Sequence, residues 1–155
     1  MNIKTKVFLD TTVISFLFNT QRPEWEKETW AFWERMISGK YDVYLSNVVL
    51  EEIFACGKPK LQKMKDMLTK IDFTEIVVND EIIRIANEII RLEILSEKNR
   101  VDCLHIGAAM FSYCDFLLSW NITNLAKRKT NFGVRYVAEL FEYPGIEIIE
   151  PKDLF

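Results

Sequence analysis

Short apolar runs alternate along this chain with longer stretches whose apolar positions recur at helical spacing. Val7-Phe8-Leu9, Val43-Tyr44-Leu45, Glu75 to Val78, Phe116-Leu117-Leu118-Ser119 and Ile146-Glu147-Ile148-Ile149 read as strands. Between them lies a helix from Thr12 to Phe18, with Thr11 or Thr12 able to cap it. Glu24 to Ser38 predicts a second helix, ended by Gly39, on which Trp25, Phe32 and Met36 fall at helical spacing and read as packing. Ser46 caps a third through Val48, Val49, Ile53 and Phe54. Gly57 and Pro59 break the chain before an amphipathic, Lys-rich helix from Lys60 to Lys70. Ile82, Ile83, Ile85, Ala86, Ile89, Ile90 and Leu92 set a strong helical period between Glu81 and Leu95. A polar loop, Ser96 to Arg100, leads to a helix opened by Asp102, whose small apolar residues suit close packing on a sheet. Val134 to Tyr143 is a short helix before the last strand. The alternation predicts an α/β fold: a single-domain three-layer α/β/α sandwich over residues 1–155 around a mostly parallel five-stranded sheet.

Composition narrows the class. A chain of 155 residues that is 49% hydrophobic and 13% aromatic can bury a core and is not disordered. No apolar run approaches the roughly 18–20 residues that cross a bilayer. Neither a membrane span nor a signal peptide is expected, and a cytoplasmic location follows. The three cysteines, Cys56, Cys103 and Cys114, are odd in number and sit in helical contexts, so they read as reduced packing residues. A net charge of −3 argues against a general nucleic-acid coating protein. It leaves room for a nuclease with a local basic rim.

The candidate chemistry lies at the ends of apolar stretches. Asp10 closes the first strand and Asn121 follows the fourth, where polar residues of an open parallel sheet point into a shared crevice. Glu52 lies about two turns into the helix after the second strand. Asp102 stands on the first turn of its helix, where the dipole favours a negative charge. Several anions drawn to one place call for a cation. Carboxylates without Cys or His partners suit Mg²⁺ or Mn²⁺. Helix capping by Asp10 and Asp102, solvation of Glu52 and a turn preference at Asn121 are the plainer readings of each residue alone.

These segments resemble a known family. Phe8-Leu9-Asp10-Thr11-Thr12-Val13-Ile14-Ser15, Leu50-Glu51-Glu52-Ile53, Val101-Asp102-Cys103-Leu104-His105-Ile106-Gly107-Ala108-Ala109 and Leu117-Leu118-Ser119-Trp120-Asn121 resemble, in that order, the PIN domain. The closest likeness is to bacterial PIN proteins related to the VapC toxins, and it spans nearly the whole chain. The resemblance implies a Mg²⁺- or Mn²⁺-dependent endoribonuclease, often a toxin restrained by an antitoxin protein. It implies Asp10, Glu52 and Asp102 as metal-binding acids. Asn121 matches a fourth position that is often Asp; an amide there ligates through oxygen but adds no charge, so a second metal would bind more weakly. Glu52 is preferred to its neighbour Glu51 because it directly precedes Ile53, as in the family's pattern. RNA as substrate rests on the resemblance alone.

In this reading a metal-bound water attacks the phosphate, and Thr12 positions that water or a phosphate oxygen. Lys98, Arg100, Lys127 and Arg128 form a candidate phosphate-contacting rim with Lys129 and Arg135. His105, with apolar neighbours Leu104 and Ile106, reads as a packed, hydrogen-bonded core histidine. Trp120 could stack on a base or pack in the core. A homodimer is expected, and the aromatics of the Trp25 to Trp33 helix and Phe16-Leu17-Phe18 are candidate dimer or antitoxin surfaces. Two rivals remain. An aspartyl-nucleophile phosphohydrolase would need a second Asp two residues past Asp10, where Thr12 stands. A catalytically silent PIN-like module would bind RNA or protein without cutting.

Overall fold

The apolar runs pair side by side in the computed structural model of the protein, which describes residues 3–154. The strands are β1 (Thr5–Leu9), β2 (Tyr41–Ser46), β3 (Phe73–Ile76), β4 (Phe116–Leu118) and β5 (Glu147–Ile149). They lie in the spatial order β3-β2-β1-β4-β5. Every adjacent pair is parallel, so the sheet is wholly rather than mostly parallel. A parallel sheet covered on both faces needs strands that are apolar throughout. Val7, Phe8 and Leu9 of β1 accordingly have no exposed surface. The chain winds from β1 out through β2 to β3, then crosses back to β4 and β5. The winding reverses between β1 and β4, which is where such sheets open a crevice beyond their carboxyl ends.

Among the described residues seven α-helices cover the sheet: α1 (Thr11–Ser15), α2 (Pro23–Ile37), α3 (Asn47–Phe54), α4 (Lys58–Leu68), α5 (Asp80–Arg91), α6 (Arg100–Phe111) and α7 (Arg128–Leu140). The three-layer α/β/α sandwich expected from the sequence is present. Local chemistry explains most of the boundaries. Ser46 caps α3 by accepting from the Val49 backbone N–H at 3.3 Å. Gly39 adopts φ 81° just past α2, the left-handed turn that ends a helix cheaply only at glycine. None of the described helices is long and apolar enough to cross a membrane.

Several expected boundaries move. Helix α1 is capped by Asp10, not by Thr11 or Thr12, and passes into a 3₁₀ turn at Phe16–Phe18. Pro59 starts α4 rather than breaking the chain before it, because a missing N–H costs nothing in the first turn. Strand β3 lies two residues earlier than its apolar signal suggested. Helix α5 ends at Arg91, followed by Glu93 in the left-handed region at φ 59°. Helix α6 opens at Arg100, two residues before Asp102, and α7 at Arg128, six residues before Val134.

The core fills the space between sheet and helices, with Phe32, Trp33 and Met36 of α2 buried in it. Leu17 and Trp33 are buried, whereas Phe16, Phe18, Trp25 and Trp30 are half-buried, Phe16 and Trp25 stacked with Trp120 and Phe18 edge-on to Trp30. All three cysteines are free. Burial pushes the Cys103 and Cys114 thiols up to about 12, which leaves them as inert packing groups.

Candidate active site

Strand register brings the first two site residues together. Leu9 pairs with Leu118, and the next residue, Asp10, donates its backbone N–H to the Leu118 carbonyl at 3.3 Å. Asp10 and Ser119 therefore leave β1 and β4 side by side at the switch point. The Ser119 hydroxyl donates to Asp10 Oδ2, and the Thr12 hydroxyl donates to Oδ1. Val13 donates its N–H to the same Oδ1 at 3.3 Å, so capping α1 and belonging to the site are one geometry. The carboxylate is only 2% exposed. Burial raises its pKa above the usual carboxylate value, against the opposing pull of nearby His105 and of its three donors.

Asn121 extends this chain of contacts. Its backbone N–H donates to Ser119 Oγ at 2.9 Å, and its side-chain Nδ2 donates to Asp102 Oδ2 at 3.4 Å. Its Oδ1 accepts from Thr123 Oγ1 at 3.2 Å and from the Asn124 N–H at 3.3 Å. The amide oxygen is thus engaged in its own turn, while the amide nitrogen faces the acid. Asp102, in the first turn of α6, is not the cap of that helix; Asn99 occupies the cap position. Burial raises the Asp102 pKa first, and the neighbouring charges of Asp10 and Glu52 add to it. Asp10 and Asp102 are thus linked through Ser119 and Asn121, and Glu52 lies near enough for its charge to act on Asp102.

Glu52 and Glu51 part company on α3. Glu51 is exposed and accepts from Asn47 Nδ2 at 3.4 Å, while Glu52 turns inward. Glu52 Oε1 accepts from Thr11 Oγ1 at 2.6 Å and lies 3.2 Å from His105 Nε2. The His105 contact is the main reason its pKa falls below the ordinary value, with burial opposing. Thr12 differs from expectation in its commitments: besides donating to Asp10, its hydroxyl accepts from the Trp120 N–H at 2.9 Å. Trp120 itself is 2% exposed, its Nε1 bonded to Thr29 Oγ1 at 2.8 Å and its ring stacked on Trp25 at 4.9 Å. It is a core residue and has no free face for a base.

The four basic residues expected at a rim separate into three places. Lys98 and Lys127 line one groove of about 550 Å³ with Asn99 and Asn124, which border Asp102 and Asn121; Glu93 and Glu97 line it too, Glu97 paired with Arg100. Arg100 is tied to Glu97 at 2.6 Å and to Asn87 at 2.8 Å. Arg128 lies in a separate hollow with Asn131, Phe132, Arg135 and Glu147. Sequence reasoning assigned no role in the site to Ser119 or Thr11, and read His105 as a packed, hydrogen-bonded histidine without naming Glu52 as its partner. The signal for Ser119 was its place at the end of an apolar strand beside Asn121.

A hard cation suits the donors present, which are carboxylate oxygens with no thiolate among them. As they stand, no three His, Cys, Asp or Glu side chains among the described residues are grouped to hold an ion. Glu52 Oε1 is drawn to Thr11 and His105, and Asp10 takes two donors on Oδ1 but only one on Oδ2. The fit is therefore one of charge and donor type: three acids, two of them held above their usual pKa, next to a groove with two lysines.

No protein-family model and no curated protein sequence matches the chain. A solved structure does. One chain in the crystal structure of VapBC2 from Rickettsia felis, bound to a DNA fragment from its promoter, superposes with a TM-score of 0.59 at 15% identity. The match covers 94% of this chain and 98% of that one. At that identity the likeness establishes the fold, a PIN-like α/β/α sandwich.

Proposed function

We propose that the chain is a metal-dependent endoribonuclease, the toxin of a toxin–antitoxin pair. The observation that carries this reading is a chain of contacts among three acids: Asp10 is joined to Asp102 through Ser119 and Asn121, and Glu52 meets His105, one turn past Asp102 on α6. Three acids drawn from three distant segments destabilise a fold unless something offsets their charge. A PIN-like fold shared with a chain of a VapBC complex supports the toxin and its antitoxin partner. A second copy of the chain is the other partner proposed.

Asp10, Glu52 and Asp102 would supply oxygen ligands to Mg²⁺ or Mn²⁺. A cation held there would supply a water of lowered pKa and a counter-charge for the phosphate. Ser119 and Thr12 hold Asp10 in place. Asn121 orients Asp102 through its amide nitrogen, a different task from the ligand role its position suggests. Lys98 and Lys127 hold phosphates of the strand along their groove. Arg128 and Lys129 stand in the first turn of α7, which contains no acidic residue, and oppose the helix dipole. That local cost suits a surface kept for anions.

The binding-module reading draws on Glu52, whose oxygen is engaged by Thr11 and His105. Offering labelled single-stranded RNA with Mg²⁺, Mn²⁺ or EDTA separates the two. Cutting that needs the metal supports the nuclease, and RNA bound but never cut supports the module.

A further inference from the structure

His105 stands one turn after Asp102 on α6 and is the only histidine in the chain. It is 2% exposed, with its ring 6.3 Å from that of Phe8. A core histidine kept for packing satisfies its nitrogens with structural groups, since an unpaired buried polar atom costs stability. Here Nδ1 has no partner, and Nε2 meets only Glu52, at 3.2 Å. A carboxylate accepts and does not donate, so the proton lies on Nε2. Thr11 donates to the same oxygen, Oε1, at 2.6 Å. Two donors from different elements thus converge on one oxygen of Glu52. Among the described residues the other oxygen, Oε2, has no hydrogen bond.

We infer that His105 is a positioning residue, which with Thr11 clamps Glu52 through Oε1 and leaves Oε2 free as the ligating oxygen. The inference rests on the metal site proposed above. Glu52 has three rotatable side-chain bonds, and its side chain is 40% exposed. Unclamped, it would sweep through solvent-facing rotamers and lose that freedom each time it bound an ion. Held by a buried imidazole and a hydroxyl, it has lost that freedom already. Hydrogen-bond partners of ligating carboxylates act in this way in metal sites generally.

The test is Mn²⁺ binding to the purified full-length chain, followed by the electron paramagnetic resonance signal of free Mn²⁺, with no RNA present. His105→Leu removes the donor and keeps an apolar filler; His105→Gln keeps an N–H. Binding by His105→Leu is expected to weaken about 10-fold or more, and His105→Gln to recover most of it. Thr11→Val, a change nearer the surface, removes the other donor and is expected to weaken binding in the same direction. It carries the test if His105→Leu does not fold. Unchanged or tighter binding in the donor-less variants would overturn the clamp, as would a Gln variant as weak as Leu. A wild-type chain that binds no Mn²⁺ would instead overturn the metal site itself, and the clamp with it.

Discussion

Asp10 is almost wholly buried and takes hydrogen bonds from Ser119, Thr12 and Val13. Burial nevertheless holds its pKa above the usual 3.8, as it does for Asp102. A carboxyl raised on folding favours the fold in its protonated form. That contribution is complete below pH 3.8 and is lost as pH rises through the raised value. Glu52 runs the other way: held below 4.5 by His105, it supports the fold above pH 4.5 and loses that support as pH falls through its lowered value. At neutral pH the metal-free protein therefore carries two destabilising aspartates, which the proposed divalent cation would relieve. Thermal melts with and without Mn²⁺ should show a larger gain at pH 7.5 than at pH 4.5. At about 100 times the dissociation constant the stabilisation is about 2.7 kcal/mol, or on the order of 5–10 °C. Equal gains at both pH values would contradict the assignment of the acids. The sequence made Asp10, Glu52, Asp102 and Asn121 legible because each sits at a recognisable place on its element. It hid Ser119 and His105, whose roles arise from contacts 109 and 53 residues away in the chain.

Elements were legible where apolar period and cap chemistry agreed, as at β1, α2, α3 and β4. They shifted where the two disagreed. Val77 and Val78 are more apolar than Phe73-Thr74, yet the register Ser46 to Ile76 ends β3 before them, and Asn47 Oδ1 takes the Val78 N–H at 2.9 Å. The first six residues of α7 read as loop because Arg128 and Lys129 are poor company for a helix N-terminus. Asn131 anchors that turn: its side chain donates to and accepts from the Ile148 backbone on β5, at 2.9 and 2.7 Å. The packing of α6 on α5 turns on one residue. A Cβ at Gly107 would stand 2.9 Å from the Ile82 backbone oxygen, which cannot rotate away. Gly107→Ala should push the helices apart and shift Asp102 and His105 with α6. Urea denaturation should find it less stable by about 1–3 kcal/mol, despite the better helix propensity of alanine. No loss would mean the two helices separate freely.

Across the whole molecule, a sheet whose winding reverses between β1 and β4 gathers distant residues into one crevice and sets a two-lysine groove beside it. Both lysines stood out in the sequence, but which of the rim cations share a groove depends on the fold, because charge counts carry no positions. If Lys98 and Lys127 each meet a phosphate, changing either to Ala should weaken RNA binding uniformly across sequences. It should also lower the slope of log affinity against log salt by about 0.7 per contact. Arg100→Ala, at a residue already paired with Glu97, should change that slope little. Cleavage of RNA tests the proposed nuclease most directly. Single-stranded RNA should be cut in Mn²⁺ or Mg²⁺ and spared in EDTA, with attack by water leaving 5′-phosphate and 3′-hydroxyl ends. Asp10→Ala and Asp102→Ala, shown to be folded, should each abolish the cutting. Cleavage that persists in EDTA or in either variant, or that leaves 2′,3′-cyclic phosphate, would contradict it.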